Sequence, residues 1–229
     1  MEHTRVLAAG AVATAGVVAV AGAAAYGLSR WPAMTTWGAT AQEAGESLPG
    51  DDVVGEPRYR TTHAVTIDVP PGQVWPWLVQ LGQGRGGLYS YDWLENLMGL
   101  DIRSADHIDP ALQDLAVGDT VRLVPEGTEP DLSMTVLRLE PPSLLLLGAG
   151  MPREEALAAG MPYPAWTFLL RPVAGDRSRL VVRFQSDFEP TPLGLLMNKW
   201  ALGPVHFVME RRMLLGIKER AEAAWATLG

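Results

Sequence analysis

Residues 61–69 alternate, with His63, Val65, Ile67 and Val69 on one side and Thr62, Ala64, Thr66 and Asp68 on the other. A period of two predicts a strand with one buried face. Further strands are predicted at 120–124, 132–140, 143–147, 165–173 and 179–188. The turn-like runs 126–130, 141–142 and 174–178 are short enough for hairpins. Near the end of the chain the period lengthens. Val205, Met209, Met213, Ile217, Ala221 and Ala224 recur at three- and four-residue intervals, Pro204 suits a first helical turn, and Arg211, Arg212, Lys218, Glu219 and Glu222 fall mainly opposite. This predicts one long amphipathic helix over 204–228.

Shorter helices are expected at 74–81, entered through Pro70 and Pro71, and at 193–202. Residues 88–98, with Tyr89, Tyr91, Trp93, Leu94, Leu97 and Met98, read as a second aromatic-rich helix or a turn. Residues 101–115 are polar and irregular. Residues 153–159 are helix-prone between two strands, as a lid or the tip of a long hairpin. A helix with one apolar face needs a large apolar partner, and the strands supply it. The simplest architecture is α+β, a curved antiparallel sheet gripping the terminal helix, over residues 61–229.

The first sixty residues are different. No charged residue occurs in 6–28, a run of Ala, Gly and Val long enough to span a bilayer, with Arg5 before it and Arg30 and Trp31 after it. Residues 1–31 are therefore expected to be a single-pass membrane anchor, with sidedness left open because the flanking positive charges nearly balance. The competing reading is a cleaved signal peptide with a small-residue site at Ala23 and Ala25, which makes the product secreted. Residues 32–60 carry Gly, Pro and acidic residues and read as a linker, either a tether or an arm laid along the domain.

Composition narrows the partners. The 229 residues carry a formal net charge of -8 without any Lys/Arg cluster, which argues against nucleic acid and weakens electrostatic docking on anionic lipid. A neutral or apolar partner, a hydrophobic small molecule or a lipid, fits better. With no cysteine, disulfides, thiolate zinc sites and cysteine nucleophiles are excluded.

The order strand, two short helices, antiparallel strands, long terminal helix resembles the helix-grip fold of the START-like (SRPBCC) superfamily, which includes polyketide cyclases, Bet v 1-like plant allergens and lipid-transfer domains. The stretch Val74-Trp-Pro-Trp-Leu-Val-Gln-Leu-Gly-Gln-Gly-Arg-Gly-Gly-Leu-Tyr-Ser-Tyr-Asp-Trp-Leu-Glu-Asn-Leu97 is similar to that of bacterial members described as cyclase/dehydrase-like. The resemblance covers about 61–228. It implies a cavity between sheet and terminal helix used for an apolar ligand, and it brings no cofactor and no universal catalytic motif.

Alternation assigns the lining of such a cavity. Leu180, Val182, Phe184 and Phe188 share one face of their strand, opposite Arg179, Arg183, Gln185 and Asp187; Trp166, Phe168 and Leu170 share a face of theirs. Val205, Met209 and Met213 on the helix would look at them, and Tyr89, Tyr91 and Trp93 would close the mouth. A filled core accounts for the same apolar residues. His206 and Glu210, four apart on the helix, are the candidate proton-transfer pair, or else a structural histidine with its acid. Residues 82–87 lack the GK[ST] ending and the preceding strand of a phosphate loop, and read as a tight turn in which Arg85 meets a ligand head group. Asp106, His107 and Asp109 with His63 and His206 have no metal-ligand spacing, so no metal is assigned. Three functions stay open: binding of an apolar molecule or lipid, a cyclase- or dehydratase-like reaction at His206 and Glu210, and a protein-interaction module with a filled core.

Overall fold

Where each side chain of a strand finds a partner is set by register. In this computed structural model, residues 31, 33–97, 99, 101–128 and 132–227 are described. The strands are β1 (Tyr59–Ile67), β2 (Thr120–Arg122), β3 (Ser133–Glu140), β4 (Leu144–Gly148), β5 (Tyr163–Val173) and β6 (Arg177–Asp187). They form one curved six-stranded antiparallel sheet in the order β1-β6-β5-β4-β3-β2. Strands β2 to β6 are sequential neighbours, and β1 closes the far edge against β6. The register sets His63 opposite Val182, Phe168 opposite Val182 and Trp166 opposite Phe184.

One face of this sheet is apolar. Val65, Ile67, Leu145, Leu147, Phe168, Leu170, Leu180 and Val182 pack there with Met213, Leu214, Ile217 and Ala221 of the terminal helix. That helix runs Leu202–Ala226 over 25 residues, as expected from its spacing. It is entered through two short pieces, Pro192–Leu195 and a π-helical turn Leu196–Ala201, where a single short helix was expected. We number the α-helices α1 Ala41–Gly45, α2 Asp51–Val54, α3 Pro71–Val79, α4 Asp92–Leu97, α5 Arg153–Ala158, α6 Pro192–Leu195 and α7 Leu202–Ala226.

The expected helix over 88–98 shrinks to α4. Tyr89 has φ 55, a left-handed conformation that no helix continues through. It is held there by its backbone N–H to Ser104 Oγ (2.9 Å) and its phenol to the Trp77 carbonyl (3.1 Å). Upstream, Gly82 and Gly87 exchange both backbone hydrogen bonds at 2.9 Å, the tight turn expected of this glycine run. Gly87, at φ 78, lies so close to the Arg103 and Ser104 backbone that a Cβ would not fit.

Residues 33–58 are an arm laid along the domain. Helix α1 opens with a reciprocal Thr40–Glu43 capping box, and the arm covers the outer, polar face of β5 and β6. The Arg179 guanidinium donates to both Glu43 oxygens (2.7 and 2.8 Å), Arg171 to Glu46 (2.6 Å) and Arg183 to Asp51 (2.7 Å). Arg183 is wholly buried and also donates to the backbone carbonyls of Glu43 and Glu46 (2.9 Å each), which is how a buried charge is tolerated. The Arg179 guanidinium beside Glu43 holds that carboxyl down at about 2. Leu48 packs with Ala64 and Val181 between these pairs. Helix α5 lies in the β4–β5 connection, and its Arg153 pairs with the buried Asp187 carboxylate, which also takes Arg58.

The run 6–28, and with it the choice between anchor and signal peptide, lies outside the described residues. Among the described residues no helix is long and apolar enough to cross a membrane.

Candidate functional site

A carboxylate buried among apolar side chains must find its hydrogen bonds in the protein, and Glu210 on α7 is such a group, with 3% of its surface exposed. Its Oε1 accepts from the indole Nε1 of Trp166 on β5 (2.6 Å). Its Oε2 is paired with Nδ1 of His63 on β1, whose other ring nitrogen meets the Met34 carbonyl (2.7 Å). His206, one turn earlier on α7, brings Nε2 to 3.4 Å from the same Oε2, an ion-pair distance without hydrogen-bond geometry. Helix, two strands and the arm thus converge on one acid.

Burial alone would push the Glu210 carboxyl up, but the facing His206 and His63 outweigh it and hold the carboxyl below its ordinary range. Burial likewise works against a charged His63, and the Glu210 carboxylate with the Met34 carbonyl overcomes it, raising the imidazole above its usual value. The result is an imidazolium–carboxylate pair.

Around it stands a shell of rings. Phe184 lies 4.4 Å from His206 between centroids, Trp166 lies 4.8 Å from Phe168, and Tyr59 meets His206 edge-on at 6.2 Å. Burial pushes the Tyr59 phenol up, with Glu210 adding to the effect. Trp31, the first described residue, packs at a tilt against Tyr59 at 6.0 Å and against Trp200 at 5.0 Å between centroids.

The first two turns of α7 pack Gly203, His206 and Phe207 inward and turn their other side out. Val205 is 51% exposed and Val208 45%. Together with Pro204, Met209 and Leu94 of α4 they line an open groove of about 260 Å³ with no polar side chain in its wall. The exposed apolar residues continue along Leu193, Leu196, Met197, Trp200 and Leu202, and across to Trp93 (68%) and Leu97 (78%).

The expected cavity lining divides accordingly. Phe168 and Met213 are core, and Trp166 is bound to Glu210. Phe184 is half-buried against His206. Met209 borders the groove, and Val205 faces outward instead of toward the sheet. The sheet-facing stripe is Glu210, Met213, Leu214, Ile217 and Ala221, rotated from the face that the spacing suggested, because an acid with buried partners belongs to that stripe.

The mouth residues also part company. Tyr89 is wholly buried, its phenol pushed up to about 12 by burial. It cannot close a mouth, since its carbonyl fills the space where Gly216 has no side chain. Tyr91 and Trp93 pack on each other at 6.5 Å near the groove. Arg85 is turned inward, donating to the carbonyls of Val79 (3.1 Å) and Leu112 (2.9 Å), so its guanidinium serves the loop and not a ligand head group.

His206 and Glu210 are brought together as expected, but their third member, His63, was placed in the apolar row of β1 and weighed with His206 only as a metal ligand, not as a partner of Glu210. The signal was present: an imidazole among Val65 and Ile67 needs a buried partner. Pro204, Val208 and Leu94 were not anticipated as groove residues, although 202–209 is apolar on every side but one. His107 pairs with Asp106 on the surface (3.0 Å), and among the described residues no group of three His, Asp or Glu side chains is arranged to hold a metal.

No family model matches this chain, and no curated protein matches it. Several solved structures are similar to it at a low level. Norcoclaurine synthase from Thalictrum flavum, in complex with a transition-state analogue, is 13% identical over 72% of this chain and 95% of its own, with a TM-score of 0.45. Protein NE0264 from Nitrosomonas europaea is 12% identical over 73% and 96%, also at 0.45. The Aha1 protein from Colwellia psychrerythraea is 16% identical over 72% and 96%, at 0.41. Likeness at this level assigns neither a ligand nor a reaction.

Proposed function

We propose that this chain is a START-like helix-grip domain that binds an apolar small molecule or a lipid, held at a membrane by residues 6–28. The observation that carries the reading is the apolar groove between α4 and the start of α7. It is shallow and open to solvent, and its volume of about 260 Å³ is smaller than the ~300–1,000 Å³ of enclosed ligand sites. It therefore suits part of an apolar molecule, such as a chain or a ring, with the remainder lying along the neighbouring exposed residues. Affinity would come from removing apolar surface from water.

The interior between sheet and helix is a poorer location. Phe168, Leu180, Val182, Met213, Leu214 and Ile217 are each at most 2% exposed there, and close packing leaves such a space to side chains. A reaction at Glu210 is disfavoured on the same ground. Each carboxylate oxygen already holds a buried partner, Trp166 on Oε1 and His63 on Oε2, and the acid is 3% exposed, so a substrate would have to displace packed side chains to reach it.

Mass spectrometry of an organic extract of the purified full chain tests the reading. A stoichiometric apolar compound is expected, and it should be lost from Val208→Asp while the circular dichroism spectrum stays unchanged. A chain that carries nothing and takes up no lipophilic dye would overturn the reading, as would an adduct undiminished by Val208→Asp.

A further inference from the structure

Between Glu189 and Glu210 the chain has no carboxylate, and Lys199 is its one Lys or Arg. A helical stretch of this composition is ordinarily buried on most sides. Here it is not. Leu193, Leu196, Met197, Trp200, Leu202, Val205 and Val208 are all exposed, and Gly203 alone is buried in the stretch 190–209. Trp93 and Leu97 of α4 extend the same exposure. Contiguous apolar surface on this scale marks a contact face.

What covers it is indicated by where the chain enters the fold. The uncharged run 6–28 is long enough to cross a bilayer and leads within three residues to Trp31. That indole packs at a tilt against Trp200 at 5.0 Å, takes Lys199 Nζ over its ring at 5.5 Å and touches the site where Gly203 lacks a side chain. The point of entry and the bare face are one place. Two tryptophans beside a single lysine are what the boundary of head groups and acyl chains favours.

We propose that the face built from residues 192–208 with Trp93 and Leu97 lies in the surface layer of a lipid bilayer, so that the α4–α7 groove opens onto lipid. The docking is apolar and not electrostatic, as the net charge of -8 and the lone Lys199 require. It deepens the ligand-binding reading by giving the groove a source of ligand, and it rests on the exposed face whether or not an extractable ligand is found.

The absence of cysteine makes the test specific, since any introduced thiol is unique. The full chain is reconstituted into phosphatidylcholine nanodiscs with an environment-sensitive fluorophore at Leu196→Cys, Val205→Cys or, as control, the exposed Ala223→Cys at the other end of α7. Labels at 196 and 205 should emit to the blue and be quenched by spin-labelled lipid several-fold more strongly than the label at 223, with no change when anionic lipid is added. Water-like emission at 196 and 205 overturns the proposal. So does blue emission without lipid quenching, which would mean that protein covers the face. A span alone brings the chain to the disc without quenching these labels, so anchoring and docking are read separately. Failure of the ligand reading appears instead in the organic extract.

Discussion

Helix α7 is continuous, yet its two halves live in opposite surroundings. From Met213 to Ala221 the stripe Met213, Leu214, Ile217 and Ala221 is at most 2% exposed against the sheet, and Gly216 admits the Tyr89 carbonyl. From Leu202 to Met209 residues of the same apolar kind, Leu202, Val205 and Val208, face away from it. Periodicity reports that a helix has apolar positions to cover, but the covering surface has to come from elsewhere in the chain. The sheet and the 82–91 loop cover one half. Among the described residues nothing covers Leu202, Val205 and Val208 in the other half.

Glu210 stands at the junction of the halves, and removing it is the most severe way to break the comparison. Glu210→Ala leaves a buried His63 without its carboxylate, at a cost of about 3–5 kcal/mol. Chemical denaturation of the variant should show the loss, and a cost near zero would mean that the acid is not holding helix to sheet. A milder perturbation is pH. The lowered Glu210 contributes stability above its ordinary 4.5, and this is lost as pH falls through its folded value. The raised His63 contributes below its ordinary 6.5, and this is lost as pH rises through its folded value. Thermal stability should therefore peak between 4.5 and 6.5, and Glu210→Gln should flatten the peak. The smallest effect belongs to the exposed half. Val205→Ser should change stability by no more than about 0.5 kcal/mol, so a loss of several times that would show this end to be core after all.

How much of this could be read from the sequence follows from where the partners lie. All six strands were expected, β1, β5 and β6 with an alternating pattern and β4 as a continuous leucine run between turns, and the long helix was placed within two residues of its start, because burial on one face writes a period into the sequence. The pairing of His206 with Glu210 was legible because it is local, four residues apart. His63 and Trp166 were not, since they meet Glu210 only through the sheet. The arm was half-legible. Its acids Glu43, Glu46 and Asp51 and the outward row Arg171, Arg179 and Arg183 were each visible, but their complementarity spans more than a hundred residues, as in Arg179 with Glu43. The groove was missed because Tyr89 leaves the helical region and ends any helix before α4, a backbone event with no period to announce it.

The packed arm also sets how far the domain can roam. A random coil over residues 33–58 would let its ends wander roughly 30 Å apart, enough for the sheet to sample a hemisphere of solution. Locked by arginines onto β5 and β6, those residues supply no such leash, and Trp31 abuts the fold directly. With residues 6–28 as its proposed mooring, the molecule explores a plane instead of a volume. Its meetings with ligand are then governed by lateral diffusion and by how densely that ligand is dissolved in two dimensions.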